Sequence, residues 1–370
     1  DRSSAVMQIS DLANAGCSVW LDDLSRAKLT GTDAHSLPPR IKNSGVVGVT
    51  TNPAIFKAAI SDATEYASDI AALKGKSVEE VITKLTTDDV REACDLFASI
   101  YRSSKGVDGR VSIEVDPRSA HDTSATVNEG KSLWQIIDRP NVLIKVPATL
   151  AGLPAITELI GAGISVNVTL IFSIERYVQV IEAYIAGIEL AAKNGHDLTQ
   201  IHSVASFFIS RLDTAIDPIL KADGGVLAHS LLGAAAIANA HLAYEKFEKE
   251  FATNRWQELS SQGANAQRPL WASTGVKDPA YDDTRYVLEL VAPNTVNTMP
   301  QSTLDAVIDH GIFKGNTITG KYEEARIVFN QLAELGISID KVTADLESDG
   351  VKKFADAWNE LLASVKGAMS

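Results

Sequence analysis

The 370-residue sequence predicts an α/β fold, a (β/α)₈ barrel, and three observations support this prediction. Short β-branched, apolar segments alternate with longer segments of helical periodicity, which is typical of βαβ units in a parallel sheet. Eight such apolar segments occur, which is the number of strands in a TIM barrel. The chain exceeds the roughly 250 residues that such a barrel needs, and the excess lies in helical segments. A doubly wound open sheet is the alternative.

The eight predicted strands are separated by predicted helices such as 77–104 and 173–195. In the second helix apolar residues recur at every third or fourth position, and Gly195 supplies a stop signal. The strands are, in order, residues 18–23, 46–51, 110–115, 142–147, 164–172, 202–209, 268–274 and 295–300.

Two segments account for the additional length. Residues 212–267 are rich in alanine and charged residues, and they predict a helical insertion between strands six and seven. After residue 300, the segments KYEEARIVFNQLAELG and GVKKFADAWNELLASVKGA predict the last barrel helix and an extra C-terminal helix. Because no Pro/Gly/Ser-rich linker separates these parts, we expect residues 1–370 to form a single barrel domain.

The composition excludes several classes of function. A net charge of −13 argues against nucleic-acid or acidic-membrane binding, but a few local cations suffice for an anionic small substrate. No apolar run approaches the roughly 20 residues of a membrane span, and the first twenty residues lack the pattern of a secretory signal. Two cysteines are too few for a disulfide scaffold, so we expect a cytoplasmic protein.

Sequence motifs for metals and nucleotide cofactors do not occur. None of the seven histidines forms an H-x-x-x-H motif or a Cys/His cluster, so we expect no metal site. G-x-G-x-x-G and G-x-x-x-x-G-K-[ST] are missing, and so is the G-x-S-x-G motif of serine hydrolases. A nucleotide cofactor is therefore not indicated by the sequence.

Charged residues within two predicted strands are the strongest functional signal. Lys145 lies in VLIKVP and Glu114 in VSIEV, each between apolar residues, and a charged residue is seldom buried unless it is paired or functional. One interpretation is a buried ion pair between the two. The other is a polar site at the C-terminal ends of the strands, where barrel enzymes place their active sites.

Further polar residues lie in or just after the other strands. Taken singly they have ordinary explanations, such as helix capping for Asp22 and Asn52 or a surface ion pair for Arg211. Together they favour an active site, because alternate strand residues face the barrel lumen. The group comprises Asp22, Thr51, Asn52, Ser112, Glu114, Lys145, Asn167, Thr169, Ser206 and Arg211.

A buried lysine is suited to one particular reaction. Burial lowers the pKa of a lysine side chain, and the resulting free amine adds to a ketone to form a Schiff base. The protonated imine accepts electrons and so eases cleavage of a neighbouring C–C bond. Such chemistry also needs carboxylates for proton transfer and amide or hydroxyl groups that hold the substrate. Asp22, Glu114, Asn52 and Thr169 are of the required types.

Four motifs, in order along the chain, resemble the transaldolase family: GVTTNPAIF (48–56), VSIEVDPR (111–118), LIKVPAT (143–149) with GLPAI (152–156), and NVTLIFS (167–173). The resemblance implies a class I aldolase on a (β/α)₈ barrel that needs no metal or organic cofactor. It implies transfer of dihydroxyacetone from sedoheptulose 7-phosphate to glyceraldehyde 3-phosphate, giving erythrose 4-phosphate and fructose 6-phosphate. The family acts in the cytoplasm, in the pentose phosphate pathway.

The resemblance also implies roles for individual residues. Lys145 matches the Schiff-base lysine and Asp22 the acid/base that acts on the C4 hydroxyl, while Glu114 and Thr169 match the pair that positions a catalytic water. Asn52 and Asn167 match neighbours of the substrate hydroxyls and the Schiff base, and Ser206 matches a substrate contact. Arg211 matches a phosphate-binding arginine, and Phe208 matches an aromatic ring near the water.

The match departs from one branch of the family after the seventh strand. Gly275 stands where that branch has a second phosphate-binding arginine, so we expect Lys277, or Ser273 and Thr274, to replace it. The long chain and its insertion are similar to the larger actinobacterial-type transaldolases. Two alternatives remain: a Schiff-base aldolase that releases dihydroxyacetone, which Phe208 disfavours because that branch tends to have tyrosine, and a non-catalytic barrel that binds a sugar phosphate or serves as a scaffold.

Overall fold

Eight parallel strands close into a barrel in sequential order, with β1 paired to β8. The structure, a computed structural model, describes residues 9–61 and 63–370; residues 1–8, part of the segment examined for a secretory signal, lie outside the described residues. The predicted (β/α)₈ barrel is therefore confirmed. The strands are β1 Cys17–Leu21, β2 Gly48–Val49, β3 Arg110–Glu114, β4 Val142–Pro147, β5 Val166–Ile171, β6 Ser203–Phe208, β7 Arg268–Ala272 and β8 Thr295–Met299.

Helices surround the barrel, and all eight strands lie within the segments predicted for them except for the first residue of β1. The α-helices of the described residues are α1 Ile9–Asn14, α2 Arg26–Thr30, α3 Leu37–Asn43, α4 Pro53–Ile60, α5 Ala67–Ala72, α6 Val78–Leu96, α7 Ala98–Ser103, α8 Thr123–Ile137, α9 Gly152–Gly161, α10 Ile174–Lys193, α11 Ser210–Asp223, α12 Val226–Ser230, α13 Ala235–Glu250, α14 Asn254–Ser261, α15 Arg285–Leu288, α16 Gln301–His310, α17 Tyr322–Glu334 and α18 Ile339–Met369.

Local sequence signals set the ends of α10. The Ser173 side chain accepts a hydrogen bond from the Arg176 backbone N–H, which caps the first turn. After the last turn, Gly195 adopts a φ of +81°, a left-handed conformation that glycine takes without steric cost. The predicted stop at Gly195 is thereby confirmed.

Apolar side chains fill the lumen near the beginning of the strands. Leu143, Val204 and Val296 are each the second residue of their strand, and together with Trp20 and Leu270 they are almost completely buried. In such a barrel the lumen is a packed core, not a channel. The polar side chains of the predicted site lie beyond this apolar layer, toward the C-terminal ends of the strands.

The additional length forms helices in both predicted places. Between β6 and β7 the chain forms four helices, α11 to α14, which agrees with the predicted insertion. After β8 the chain forms three helices, one more than the two predicted from the sequence. The additional helix is α16, whose ten residues were not recognised as a separate helix. The last helix, α18, packs against α4, α6, α11 and β5 and so crosses the C-terminal end of the barrel.

The described residues contain no helix with both the length and the apolar character that crossing a bilayer requires.

Candidate active site

A cavity of about 170 Å³ opens at the C-terminal end of the barrel. Some lining residues were not predicted as site residues. They include Thr50, which follows β2, Thr298, which lies in β8, and Phe354, which α18 contributes. Thr50 directly precedes the predicted Thr51, whereas nothing in the local sequence of α18 indicates where the helix lies. The predicted site residues that line the cavity are Asp22, Asn52, Lys145, Ser206, Phe208, Arg211 and Lys277.

Lys145 lies on β4 between Glu114 of β3 and Asn167 of β5, which are its direct neighbours in the strand register. The side chain is buried, and Nζ donates a hydrogen bond to the Thr51 carbonyl oxygen at 2.9 Å. Within the described residues Lys145 forms no salt bridge, and both Glu114 carboxylate oxygens lack a hydrogen-bond partner. The structure therefore does not contain the Lys145–Glu114 ion pair that the sequence left open.

Asp22 follows β1 and is held by the end of the neighbouring strands. Its backbone N–H donates to the Met299 carbonyl oxygen at 2.9 Å, and its carboxylate accepts a hydrogen bond from Thr50 Oγ1 at 2.7 Å. The Thr50 and Thr298 hydroxyl oxygens are 2.6 Å apart. Burial raises the pKa of the Asp22 carboxyl, and the positive charge of Lys145 counteracts this shift. Asp22 is thus oriented and suited to exchanging a proton.

Glu114 and Thr169 lie on the strands that flank β4, but they are not among the residues lining the cavity. Both side chains are buried, and in the described residues the Thr169 hydroxyl, like the Glu114 carboxylate, has no hydrogen-bond partner. Burial raises the pKa of Glu114 to about 8, which Lys145 opposes and Glu129 reinforces. Buried polar groups normally have partners, so this unpartnered pair next to Lys145 requires an explanation.

The backbone is unusual directly after Thr169. Leu170 has a φ of +61°, and the pairing of β5 with β6 shifts register between Val168 and Ile171. A positive φ is costly for a residue other than glycine, and such strain is concentrated at functional sites. Here it brings Leu170 into one apolar group with Phe208 and Phe354 at the cavity. No local sequence pattern indicated this irregularity.

Asn167 and Asn52 are both fixed by hydrogen bonds. Asn167 Nδ2 donates to Ser112 Oγ at 3.0 Å, and Ser206 Oγ donates to Asn167 Oδ1 at 2.7 Å, so one buried network joins β3, β5 and β6. Asn52 Oδ1 accepts from the Ile55 backbone N–H at 2.9 Å and caps α4. Asn52 therefore has the structural role considered from the sequence and also lines the cavity.

Two cationic side chains reach the cavity from segments that follow β6 and β7, Arg211 from the first turn of α11 and Lys277 from the loop after β7. The Arg211 guanidinium lies 5.1 Å from the centre of the Phe208 ring, and its Nη1 has no hydrogen-bond partner among the described residues. Burial lowers the pKa of Arg211, while Asp349 and Asp22 raise it. Lys277 occupies the space beside Gly275, since a Cβ atom on that glycine would lie 3.6 Å from Lys277 Nζ.

The other two candidates for replacing the second arginine already have partners. Thr274 Oγ1 donates to the Thr298 carbonyl oxygen at 2.8 Å. The Ser273 hydroxyl lies 2.8 Å from the Ser210 hydroxyl. Of the three, Lys277 alone brings a positive charge to the cavity.

Comparison with known proteins places the chain in a family. The family model described as Transaldolase/Fructose-6-phosphate aldolase matches residues 19–365. A transaldolase of Renibacterium salmoninarum is 58% identical over 363 residues, which cover 98% of this chain and 96% of that protein. Transaldolases of Arthrobacter sp. (56% identical; 97% and 96% covered) and Mycolicibacterium smegmatis (55%; 98% and 97%) are similar along their whole length. The chain belongs to the transaldolase/fructose-6-phosphate aldolase family.

Proposed function

We propose that this protein is a transaldolase that transfers dihydroxyacetone between sugar phosphates through a Schiff base on Lys145. The donor is sedoheptulose 7-phosphate or fructose 6-phosphate, and the acceptor is glyceraldehyde 3-phosphate or erythrose 4-phosphate. One observation carries the proposal: Lys145 is buried at the C-terminal end of the barrel, has no carboxylate partner in the described residues, and lines one cavity with Asp22 and Arg211. The proposal includes a cytoplasmic role in the pentose phosphate pathway and one barrel domain over residues 1–370.

The first step forms the imine. The Lys145 amine adds to the C2 carbonyl of the ketose, and the resulting carbinolamine loses water. A proton donor must assist this loss, and Glu114 is suited to it because a pKa of about 8 keeps its carboxyl protonated at neutral pH. The unpartnered Glu114 and Thr169 oxygens support a role for these two residues in orienting a water molecule beside the imine.

The second step breaks the C3–C4 bond. The Asp22 carboxylate takes the proton of the C4 hydroxyl, the electrons of the C3–C4 bond pass to the protonated imine, and the aldose leaves. A three-carbon enamine remains attached to Lys145 and attacks the aldehyde carbon of the acceptor. We assign Asn52 and Ser206, which line the cavity, to the substrate hydroxyls. Asn167 does not line the cavity, and its hydrogen bond with Ser206 supports a role in orienting that hydroxyl.

The phosphate group is held by Arg211 and Lys277. Guanidinium and ammonium groups bind phosphate through charge-assisted hydrogen bonds, and both side chains line the cavity. Arg211 Nη1 supports this assignment, because a buried guanidinium nitrogen without a partner in the described residues is available to a ligand.

Transfer is favoured over release of free dihydroxyacetone by the residue at position 208. The enamine must be protected from protonation until the acceptor arrives, and a phenylalanine ring carries no hydroxyl that would donate a proton. Phe208 packs against Phe172 with ring centres 5.1 Å apart, so its ring is held at the cavity wall. The similar proteins are named transaldolases, which agrees with this preference.

Trapping the intermediate tests the proposal. The protein is incubated with fructose 6-phosphate, reduced with borohydride, digested and examined by mass spectrometry. We expect a three-carbon adduct on Lys145, and the same adduct, formed more slowly, in Lys277→Met. An unmodified Lys145 in folded protein contradicts the Schiff base. An adduct without transfer to erythrose or glyceraldehyde phosphates identifies the aldolase alternative instead.

A further inference from the structure

A second cavity, of about 220 Å³, lies at the N-terminal end of the barrel. Its polar lining comes from the first residues of three strands, Arg110, Ser203 and Arg268, and from three residues that precede strands, His202, Asn265 and Asn294. A water molecule takes up about 30 Å³ of liquid, so the cavity has room for a small molecule. The cavity is separated from Lys145 by the apolar layer of the lumen, which includes Leu143 and Val204.

Arg110 is the unusual residue of this cavity. It is only 1% exposed, and two of its nitrogens donate to backbone carbonyls, Nε to Gly106 at 2.8 Å and Nη1 to Pro140 at 2.9 Å. The third nitrogen, Nη2, has no partner among the described residues, and no carboxylate there forms a salt bridge with Arg110. A buried charge without a counter-ion is costly, so this arrangement favours an anion.

The neighbouring charges leave a positive excess. Arg268 forms a salt bridge with Asp108 at 3.3 Å, and the Asp108 carboxylate also accepts hydrogen bonds from Ser18 and Trp20. Asp108 therefore balances only one of the two arginines. Burial and the two nearby arginines lower the pKa of His202 to about 3, so its ring is neutral at neutral pH. The contribution of the arginines to this shift agrees with a positive excess in the cavity.

A groove on the surface leads to the cluster of His202 and Arg110. His202 lines it together with Arg102, Lys105 and Gly106, and the two cationic side chains are exposed and without a salt bridge in the described part of the chain. A Cβ atom on Gly106 would lie 2.7 Å from His202 Nε2 and 3.2 Å from Arg110 Nη2. The glycine thus allows these two nitrogen atoms to lie side by side below the groove.

We propose that the N-terminal cavity is a second anion site, which binds inorganic phosphate or the phosphate group of a small ester through Arg110, with Arg268 and His202 beside it. A guanidinium fork matches phosphate geometry, and exposed cations at an entrance raise the local concentration of anions. In a chain with a net charge of −13, this concentration of cations is a local feature and not a consequence of composition. The site is separate from the proposed active site, and the inference does not depend on the proposed reaction.

The test removes the phosphate ligands of the active site first. In the Arg211→Ala/Lys277→Ala variant, inorganic phosphate and glycerol 3-phosphate are titrated by calorimetry at low ionic strength. We expect one phosphate to bind per chain, and Arg110→Met in this background to weaken binding at least tenfold. Arg102→Ser/Lys105→Ser is expected to weaken it severalfold. Lys74→Ser/Lys76→Ser, which removes two exposed lysines elsewhere, is the matched control and should leave binding unchanged.

Each possible result of the titrations either supports or overturns the second anion site. Binding of inorganic phosphate alone supports a site for the free ion, and binding of both compounds supports a site for phosphate esters. Absence of saturable binding by folded Arg211→Ala/Lys277→Ala protein overturns the proposal. If Arg110→Met does not fold, the two serine double variants decide: equal effects of Arg102/Lys105 and Lys74/Lys76 show general charge screening and also overturn it.

Discussion

The two ends of the barrel bury positive charge in different ways. At the C-terminal end, Lys145 Nζ makes one hydrogen bond, to the Thr51 carbonyl, and lines a cavity that also contains Asp22. At the N-terminal end, Arg110 is fixed by hydrogen bonds to two carbonyls, and the nearby Asp108 is already bound by Arg268, Ser18 and Trp20. Only the C-terminal end therefore combines a loosely held amine with carboxylates that can exchange protons.

The carboxylates make the contrast sharper. Burial raises the pKa of the Asp22 carboxyl and raises that of Glu114 to about 8, so Glu114 is suited to take up and release a proton near neutrality. An arginine remains charged throughout this range and serves to bind anions. A buried charge in a strand thus indicates catalysis only where titratable partners converge on it.

The largest expected effect follows from removing the amine. Lys145→Met should lower kcat by on the order of 10⁴-fold or more, because no other group can form the imine. The fold should be retained, since Lys145 makes one hydrogen bond and no salt bridge in the described residues. The measurements are a coupled transfer assay and thermal unfolding. An insoluble variant would instead mean that Lys145 is needed for folding, and an active one would remove it from the mechanism.

The strands and the lysine could be predicted because their signals are local. Each strand is a contiguous apolar run, and alternate residues share a face, so Glu114, Lys145 and Asn167 could be assigned to the lumen before their register was known. The position of α18 could not be predicted. It depends on packing between segments far apart in sequence, such as Gly350 against Leu170, where a Cβ atom would lie 3.0 Å from Leu170 Cδ2.

Arg110 was visible in the sequence but was not recognised as unusual. It is the first residue of RVSIEV, and an arginine at the start of a strand is ordinarily exposed, with its charge in water. Its burial results from the covering of this end by Tyr101, whose ring centre lies 5.1 Å from the guanidinium, and by the Gly106 turn. Local patterns identify strands and their faces, but burial of a terminal side chain depends on distant loops.

The second largest effect concerns the pH dependence of stability. The pKa of Glu114 rises from about 4.3 in an unfolded chain to about 8 in the folded protein, so between these values the folded state binds more protons. Stability must therefore fall as pH rises through this range and level off above it. Glu114→Gln should remove roughly 3 kcal/mol of this decline between pH 5 and pH 8. Urea unfolding at several pH values measures it; parallel curves for the variant and the parent protein would refute the shift.

A smaller effect is expected at the phosphate site. Arg211→Ala should raise KM for fructose 6-phosphate about 30-fold, the equivalent of roughly 2 kcal/mol for a charge-assisted hydrogen bond. Lys277→Met should raise it less, because Lys277 is more exposed and more strongly screened by solvent. Initial rates at varied substrate concentration separate KM from kcat. An unchanged KM in Arg211→Ala would mean that the phosphate lies elsewhere.

The smallest effect is expected for Arg110→Met, which tests whether the two ends are functionally distinct. Two carbonyl oxygens, of Gly106 and Pro140, would lose a donor, but a buried charge without a counter-ion would be removed as well. Because these terms oppose each other, we expect a loss of only about 1–2 kcal/mol in the free energy of unfolding. The kcat and KM for sugar phosphates should stay within twofold of the parent values in phosphate-free buffer. A large fall in kcat at preserved stability would show that the N-terminal cavity is coupled to catalysis across the apolar layer of the lumen, and the contrast between the two ends would then fail.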